Sequence, residues 1–286
     1  MNSLQLCVFS KHLAGPPLDE TARRLSAMGI SAIDLTVRVG GHVEPERALN
    51  DLPNAAGLLA HHGVQIAMLT TNITNANDTQ TETILRAAAN LGIGYYKLGY
   101  FHYAGFGSLR KQRLEVAARF ADLAALNAEI GIRGAYHNHS HDFFGAVPAD
   151  IAAALEDIDP QWLGLYFDPA HAMIEGGSSG WMMGLDLLRE RTFMLAVKDY
   201  FWSSAGHGYG GGRRHKALFC PLEDGNVSWP RVLQCLKESN FAGPISLHSE
   251  YQGGHAFRDL TTDEVFAQTA RDVEFFRPLL ADAELI

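Results

Sequence analysis

Several residues sit at the ends of apolar runs with types and spacings that suit metal or proton chemistry. His137 and His139 lie two apart at the end of the run Arg133–His139. In an extended segment they face one side, where two imidazoles can hold a divalent ion or contact hydroxyls. His248 and Glu250 repeat that spacing in Pro244–Tyr251. Glu250 suits a hard ion such as Mg²⁺ or Mn²⁺, and His248 suits Mn²⁺, Co²⁺ or Zn²⁺. The alternative for Glu250 is an ion pair with Lys198 or an arginine. Asp168 follows Leu165, Tyr166 and Phe167 and precedes Pro169. A carboxylate at the tip of an apolar strand is costly unless paired, so metal ligation is expected, with a helix N-cap as the alternative. His171, three residues on, reads equally as a site residue or a packing residue.

Lys198 breaks the apolar run Phe193–Tyr200. A buried lysine polarises a carbonyl or acts as acid and base once its pKa falls; it also forms ion pairs, here with Asp199 or Asp168. Asp34, Arg38 and His42 offer contacts to substrate hydroxyls or a phosphate, or salt bridges of their own. Trp202 beside Tyr200 offers a stacking platform for a sugar ring, although packing on a helix is the commoner fate of such residues. Other run ends carry Ser10, Lys11 and His12, then Thr70, Thr71 and Asn72, and in the fourth run Lys97 and Tyr100.

Positioning these groups together requires a frame. Eight short apolar runs recur: Leu4–Phe9, Ala32–Val37, Val64–Leu69, Tyr95–Tyr100, Arg133–His139, Leu163–Phe167, Phe193–Tyr200 and Pro244–Tyr251. Their uninterrupted character suits strands buried on both faces of a parallel sheet. Helical patterns separate them at Leu18–Met28, Leu52–His62, Thr79–Leu91, Leu109–Ile130, Pro148–Ile158, Trp181–Arg189, Ser228–Lys237 and Thr262–Leu280. Eight βα repeats in 286 residues predict a single (β/α)₈ TIM barrel spanning 1–286, whose strand C-termini converge on one site. A doubly wound sheet would usually show a glycine phosphate loop after its first strand; Phe9-Ser10-Lys11-His12-Leu13 has none. The glycine-rich stretch Ala205–Gly212 reads as a mobile loop at the barrel mouth.

Composition narrows the function. Hydrophobic residues make up 47% and charged residues 19%, which excludes disorder as the main state. The formal charge of −9 argues against broad binding to nucleic acid or anionic membrane. Three scattered cysteines, Cys7, Cys220 and Cys235, form neither a disulfide framework nor a zinc motif, so a reduced, cytoplasmic setting is expected. The N-terminus reads as a first strand rather than a signal peptide, and no stretch approaches a membrane span.

The combination of Tyr136-His137-Asn138-His139, Asp168-Pro169-Ala170-His171, Lys198-Asp199, Phe219-Cys220-Pro221-Leu222-Glu223-Asp224-Gly225 and Gly243–Tyr251 resembles the xylose-isomerase-like TIM-barrel superfamily over nearly the whole chain. That superfamily includes sugar-phosphate isomerases and epimerases, inosose dehydratase and AP-endonuclease-like enzymes. The resemblance implies carbohydrate metabolism and a divalent metal, Mn²⁺ or Mg²⁺ first and Zn²⁺ or Co²⁺ second. Its ligands would be His137, Asp168, a residue of the seventh run, and His248 or Glu250. Two positions depart from the pattern. His137 stands where many members have Glu, and Ala196 stands where a ligating His is usual. The metal is still expected among His137, Asp168 and Glu250, with His248 nearby, held by three protein ligands plus His139 or water, with weak binding or none as the alternatives.

The expected reaction moves a proton next to a carbonyl through an enediolate. Glu250 or a neighbouring histidine is the expected base, Lys198 a positive charge, and His171 a further catalytic candidate. Substrate contacts are expected from Asp34, Arg38, His42, His139 and Trp202. A lyase, dehydratase or hydratase on a keto-sugar or keto-cyclitol shares the same enolate chemistry and follows closely, and a non-catalytic sugar-binding barrel is the alternative of a different class. The AP-endonuclease reading needs more zinc ligands than the chain offers, and a homo-oligomer is compatible with everything above.

Overall fold

The computed structural model describes residues 4–207 and 212–285. Eight parallel strands close into a barrel: β1 (Leu6–Phe9), β2 (Ala32–Val37), β3 (Gln65–Thr71), β4 (Tyr95–Lys97), β5 (Arg133–His137), β6 (Leu163–Phe167), β7 (Thr192–Val197) and β10 (Ile245–Leu247). β10 closes the ring by pairing with both β1 and β7. The helices are α1 (Leu18–Ala27), α2 (Ala48–His61), α3 (Thr81–Asn90), α4 (Leu109–Ile130), α5 (Pro148–Ala154), α6 (Pro169–Leu188), α7 (Trp229–Glu238) and α8 (Thr262–Asp282). Strand alternation sorts side chains between two cores. Ile33, Leu35, Tyr136, Leu165, Leu195 and Leu247 point outward under the helices. Cys7, Ala32, Met68, Tyr95, Tyr166, Met194 and Ala196 fill the barrel interior. The same period carries the inward row upward, from Met194 and Ala196 to Lys198, and from Tyr95 to Lys97.

Two expectations need correction. The run Phe193–Tyr200 is not one strand. It divides after Val197, and Asp199 opens β8 (Asp199–His207), which pairs antiparallel with β9 (Arg213–Cys220). The glycine-rich stretch expected as a loop therefore belongs in part to this hairpin: Ala205–His207 are in β8 and Gly212 precedes β9, while 208–211 lie outside the described residues. The second correction is α6, which starts at Pro169 rather than Trp181. The run Gly176-Gly177-Ser178-Ser179-Gly180 hides it, since glycine weakens a helix interior. The chain accommodates this with a break at Gly177, where φ is +65° and ψ −156°.

The hairpin is anchored by Asp199, whose carboxylate accepts from the backbone N–H of Tyr200 and Val227 and from Trp229 Nε1 at 2.8, 2.9 and 2.9 Å. Gly225 packs so closely that an added Cβ would lie 1.9 Å from that carboxylate. Gly225→Ala is accordingly expected to cost about 3 kcal/mol or more, as overpacking plus displacement of a buried acceptor. Denaturant unfolding checks this, and an unchanged midpoint would show that Asp199 does not hold the hairpin.

Candidate functional site

A cavity of about 90 Å³ opens at the C-terminal ends of the barrel strands. Larger concavities lie elsewhere, one of about 500 Å³ around Arg133, Asp159 and Gly243 at the N-terminal rim. In this architecture the N-terminal rim serves stability and the C-terminal mouth serves chemistry. The mouth is also where buried ionisable groups concentrate.

Asp168 is fully buried at the tip of β6 and caps α6, accepting from His171 N–H at 3.0 Å. Asn138 clamps its backbone from β5, donating to the Asp168 carbonyl and accepting from its N–H. Lys198, continuing the inward row of β7, is 1% exposed, and its ammonium lies 2.8 Å from Glu250 Oε1, 3.2 Å from Asp168 Oδ2 and 2.7 Å from His171 Nε2. These three partners match its three donors. Burial alone would lower the Lys198 pKa, but Asp168 and Glu250 outweigh it and raise it, so the side chain stays an ammonium. Burial likewise works against both carboxylates, yet Lys198 and the surrounding histidines hold Asp168 and Glu250 well below the usual carboxylate range.

His137, His139 and His171 are neutral, and their hydrogen bonds fix their tautomers. Burial pushes His137 down to about 3. Its Nε2 faces Asp168 Oδ2 at 3.1 Å, and since a carboxylate only accepts, Nε2 carries the proton. Nδ1 then accepts from Tyr100 Oη at 2.6 Å. His171 is also held well below its ordinary value, chiefly by burial; its Nε2 accepts from Lys198 and its Nδ1–H donates to Ser140 Oγ at 2.8 Å. His139 stacks on His171 with ring centroids 3.9 Å apart. It donates from Nδ1 to the Ser140 carbonyl, leaving Nε2 as an acceptor on a cavity-lining ring that burial lowers to about 4. His248 meets Tyr166 Oη through Nε2 at 2.8 Å, with Nδ1 3.5 Å from Glu250 Oε1.

Lys97, at the end of β4, belongs to the site although the sequence marked it only as a polar end of the fourth run. It is 3% exposed, lines the cavity and lies with Nζ 3.6 Å above the Tyr100 ring. Among the described residues nothing accepts a hydrogen bond from Nζ, and burial pushes its pKa down to about 7. Lys11 and Arg38 also line the cavity, and burial lowers Lys11 as well. His12 is a further residue the sequence did not single out; it is buried, neutral with a pKa near 3, and 3.8 Å from Glu250.

Of the expected site residues, His137, His139, Lys198, His248, Glu250 and Arg38 line the cavity. His171 and Asp168 stand directly behind it. Three do not reach it. Asp34 is fully buried below, its oxygens taken by Thr70 at 2.7 Å and Ser246 at 2.9 Å, and burial raises it to about 6. His42 bonds to Thr36 Oγ1 at 3.0 Å. Trp202 stands on the hairpin, 48% exposed, with its edge against Tyr200.

The expected metal set of His137, Asp168, His248 and Glu250 does not fit an ion in this arrangement. Both nitrogens of His137 are engaged, Asp168 Oδ1 accepts from His171 N–H, and Asp168 Oδ2 and Glu250 Oε1 are on the Lys198 ammonium, which leaves only Glu250 Oε2 and His248 Nδ1 of the set without a partner. A divalent ion about 4 Å from that ammonium would meet roughly 8 kcal/mol of repulsion at an effective dielectric of about 20. Among the described residues no three His, Cys, Asp or Glu side chains are grouped to hold a metal ion.

The fold and its mouth thus define a TIM barrel with a buried, charge-compensated strand-end site. A model of the xylose isomerase-like TIM barrel family matches residues 21–279, and the chain belongs to that family. Similar solved structures include a xylose isomerase-like TIM barrel protein from Mycobacterium smegmatis in complex with magnesium (17% identity, 99% of each chain, TM-score 0.70). A 3-keto-D-glucoside 4-epimerase from E. coli matches at 13% identity over 96% of this chain and 100% of that one, TM-score 0.68. A D-allulose 3-epimerase from Methylomonas sp. matches at 18% identity over 98% and 99%, TM-score 0.69. At these identities the likeness is one of fold. No curated protein matches the sequence significantly. No helix among the described residues is long and apolar enough to cross a membrane.

Proposed function

We propose that the chain is an isomerase or epimerase that moves a proton on the carbon next to the carbonyl of a keto-sugar. The observation that carries this reading is the contrast between two buried lysines at one cavity. Lys198 is fixed as a cation by its partners, whereas unpaired Lys97 titrates near 7. Environments that push two titratable groups apart divide the roles of electrostatic stabiliser and proton carrier. Lys97 as the free amine takes the proton from the α-carbon, and as the ammonium returns it to the former carbonyl carbon, while the α-hydroxyl proton passes to the former carbonyl oxygen so that the new carbonyl forms. The enediolate is negative, and Arg38 and Lys11 on the wall, with Lys198 behind, supply the field that stabilises it. His139 Nε2 is placed to accept from a substrate hydroxyl, and epimerisation would require it as the second proton carrier. Glu250, the base expected from the sequence, is held ionised by Lys198 and serves better as an acceptor that orients the substrate. The Mn²⁺ or Mg²⁺ expected from the sequence has no part in this proposal, because Lys198 already neutralises Asp168 and Glu250 through Oδ2 and Oε1.

The enclosed volume of about 90 Å³ admits about three waters' worth of substrate, the reacting end of a sugar rather than all of it. The rest would extend toward the hairpin, where Trp202 is exposed. The family and the named epimerases support the reading at the level of class. The test is a panel of ketoses and 3-keto sugars incubated with the protein in deuterated water, followed by NMR and mass spectrometry. Deuterium at the α-carbon with interconversion of isomers is expected. Calorimetric binding without any exchange would overturn the catalytic reading in favour of a sugar-binding barrel, and loss of water from the substrate would reassign the chain as a dehydratase.

A further inference from the structure

We infer that Lys198 is a covalently attached replacement for the divalent ion of this fold, so that the cation neutralising Asp168 and Glu250 belongs to the chain itself. Residues from two separate barrel units aim at one point: Asp168 after β6 with His171 in the first turn of α6, and Glu250 after β10. That point is the Lys198 ammonium, at 3.2, 2.7 and 2.8 Å. A metal-ligating cluster would present lone pairs to an open position. Here Asp168 Oδ2, Glu250 Oε1 and His171 Nε2 already face the ammonium, and His137 turns a proton toward Asp168 instead of a lone pair outward; His248 Nδ1 and His12 Nε2, beside Glu250, have no hydrogen-bond partner among the described residues.

The β7 side of the site explains how the lysine takes this place. Lys198 and Ala196 are successive inward-facing positions, and Ala196 ends in a methyl group packed with Cys7, Tyr166 and Met194 in the apolar plug. The strand therefore offers the site an ammonium and no further ligand. Because the ammonium's three donors are used within the protein, Lys198 organises the carboxylates and supplies field, while direct contacts to substrate oxygens fall to Lys97, Arg38 and His139. The inference concerns what neutralises the two carboxylates, and it stands whether or not the cavity turns over keto-sugars.

The test uses the full chain dialysed against EDTA, with MnCl₂ and MgCl₂ as probes, read by native mass spectrometry, Mn²⁺ EPR and thermal unfolding. The wild-type protein is expected to carry no bound ion and to show the same Tm with EDTA, Mn²⁺ or Mg²⁺. Lys198→Met should free the carboxylates, bind one Mn²⁺ and show a Tm that rises with Mn²⁺ concentration, since a ligand of the native state alone stabilises it. Lys198→Gln replaces it if the methionine variant does not fold without metal. Uptake of one equivalent of Mn²⁺ by the wild type, with a rise in Tm that Asp168→Asn abolishes, would overturn the inference. So would a failure of both lysine variants to bind Mn²⁺, which would show that the cluster is no cation site.

Discussion

Lys97→Met is expected to lower turnover by about 10²–10⁴-fold while raising the stability of the fold. Both effects come from one cause, the burial of an amine with no carboxylate partner. In the folded protein burial pushes Lys97 down to about 7, whereas in the unfolded chain it titrates near its ordinary 10.5. Between those values the unfolded state binds the proton and the folded state does not. Stability therefore rises with pH from about 7 to 10.5, and below 7 the wild type carries the full penalty of a buried ammonium. Methionine matches the length of the side chain without the charge, so the gain in Tm should be largest at pH 6 and shrink toward pH 10. The wild-type pH–rate profile should show an ascending limb near 7 as the amine loses its proton, and no such limb should remain in the variant. Lower turnover with an unchanged limb would assign that ionisation to another group, and an unchanged Tm at pH 6 would show that Lys97 is not desolvated.

The opposite stability effect is expected at Lys198. Lys198→Met removes the partner of two carboxylates, one of them fully buried, and breaking such a pair typically costs about 3–5 kcal/mol. For a chain of this size, with metal chelated, Tm should fall on the order of 10 °C. The sign with pH follows from Asp168 and Glu250, whose pKa values Lys198 depresses in the folded state. Their contribution is present above the unfolded carboxylate range and is lost as pH falls through the depressed values. The gap between wild type and variant should therefore be widest near neutrality and close in acid, as measured by denaturant unfolding at both ends. A gap that is constant with pH would mean that Lys198 acts through packing alone.

These two lysines also mark the limit of what the residues reveal in order. The barrel was legible because eight apolar runs alternate with helical patterns, and β2, β6 and α4 coincide with their predicted bounds. The inward placement of His137 follows from strand period, and Lys198, one residue past β7, continues the inward row of Met194 and Ala196. What spacing does not give is convergence across strands. Asp168 and His171 come from one barrel unit and Glu250 from another, and nothing in their local sequence shows that they meet on one ammonium. Period two also stops being a guide once a strand ends. β10 closes at Leu247, and His248 and Glu250 come together through a turn in which Glu250 N–H donates to the His248 carbonyl. Lys97 offered a signal of the same kind as Lys198, a lysine inside an apolar run, Tyr95-Tyr96-Lys97-Leu98. It lacked an adjacent acid to suggest a role, and that absence is what tunes it. Asp34 misled for the converse reason: an acid in a strand suggested substrate contact, but Thr70 and Ser246 satisfy it below the cavity.

The most direct test of the acid–base assignment is exchange of the substrate α-proton with solvent in metal-free deuterated water, comparing wild type with Lys97→Met on the ketose that the panel identifies. The account predicts exchange by the wild type in the presence of EDTA and its loss, by about 10²-fold or more, in a variant that is folded and still binds the sugar. Exchange that continues at the wild-type rate without Lys97, or that appears only when a divalent ion is restored, would contradict it.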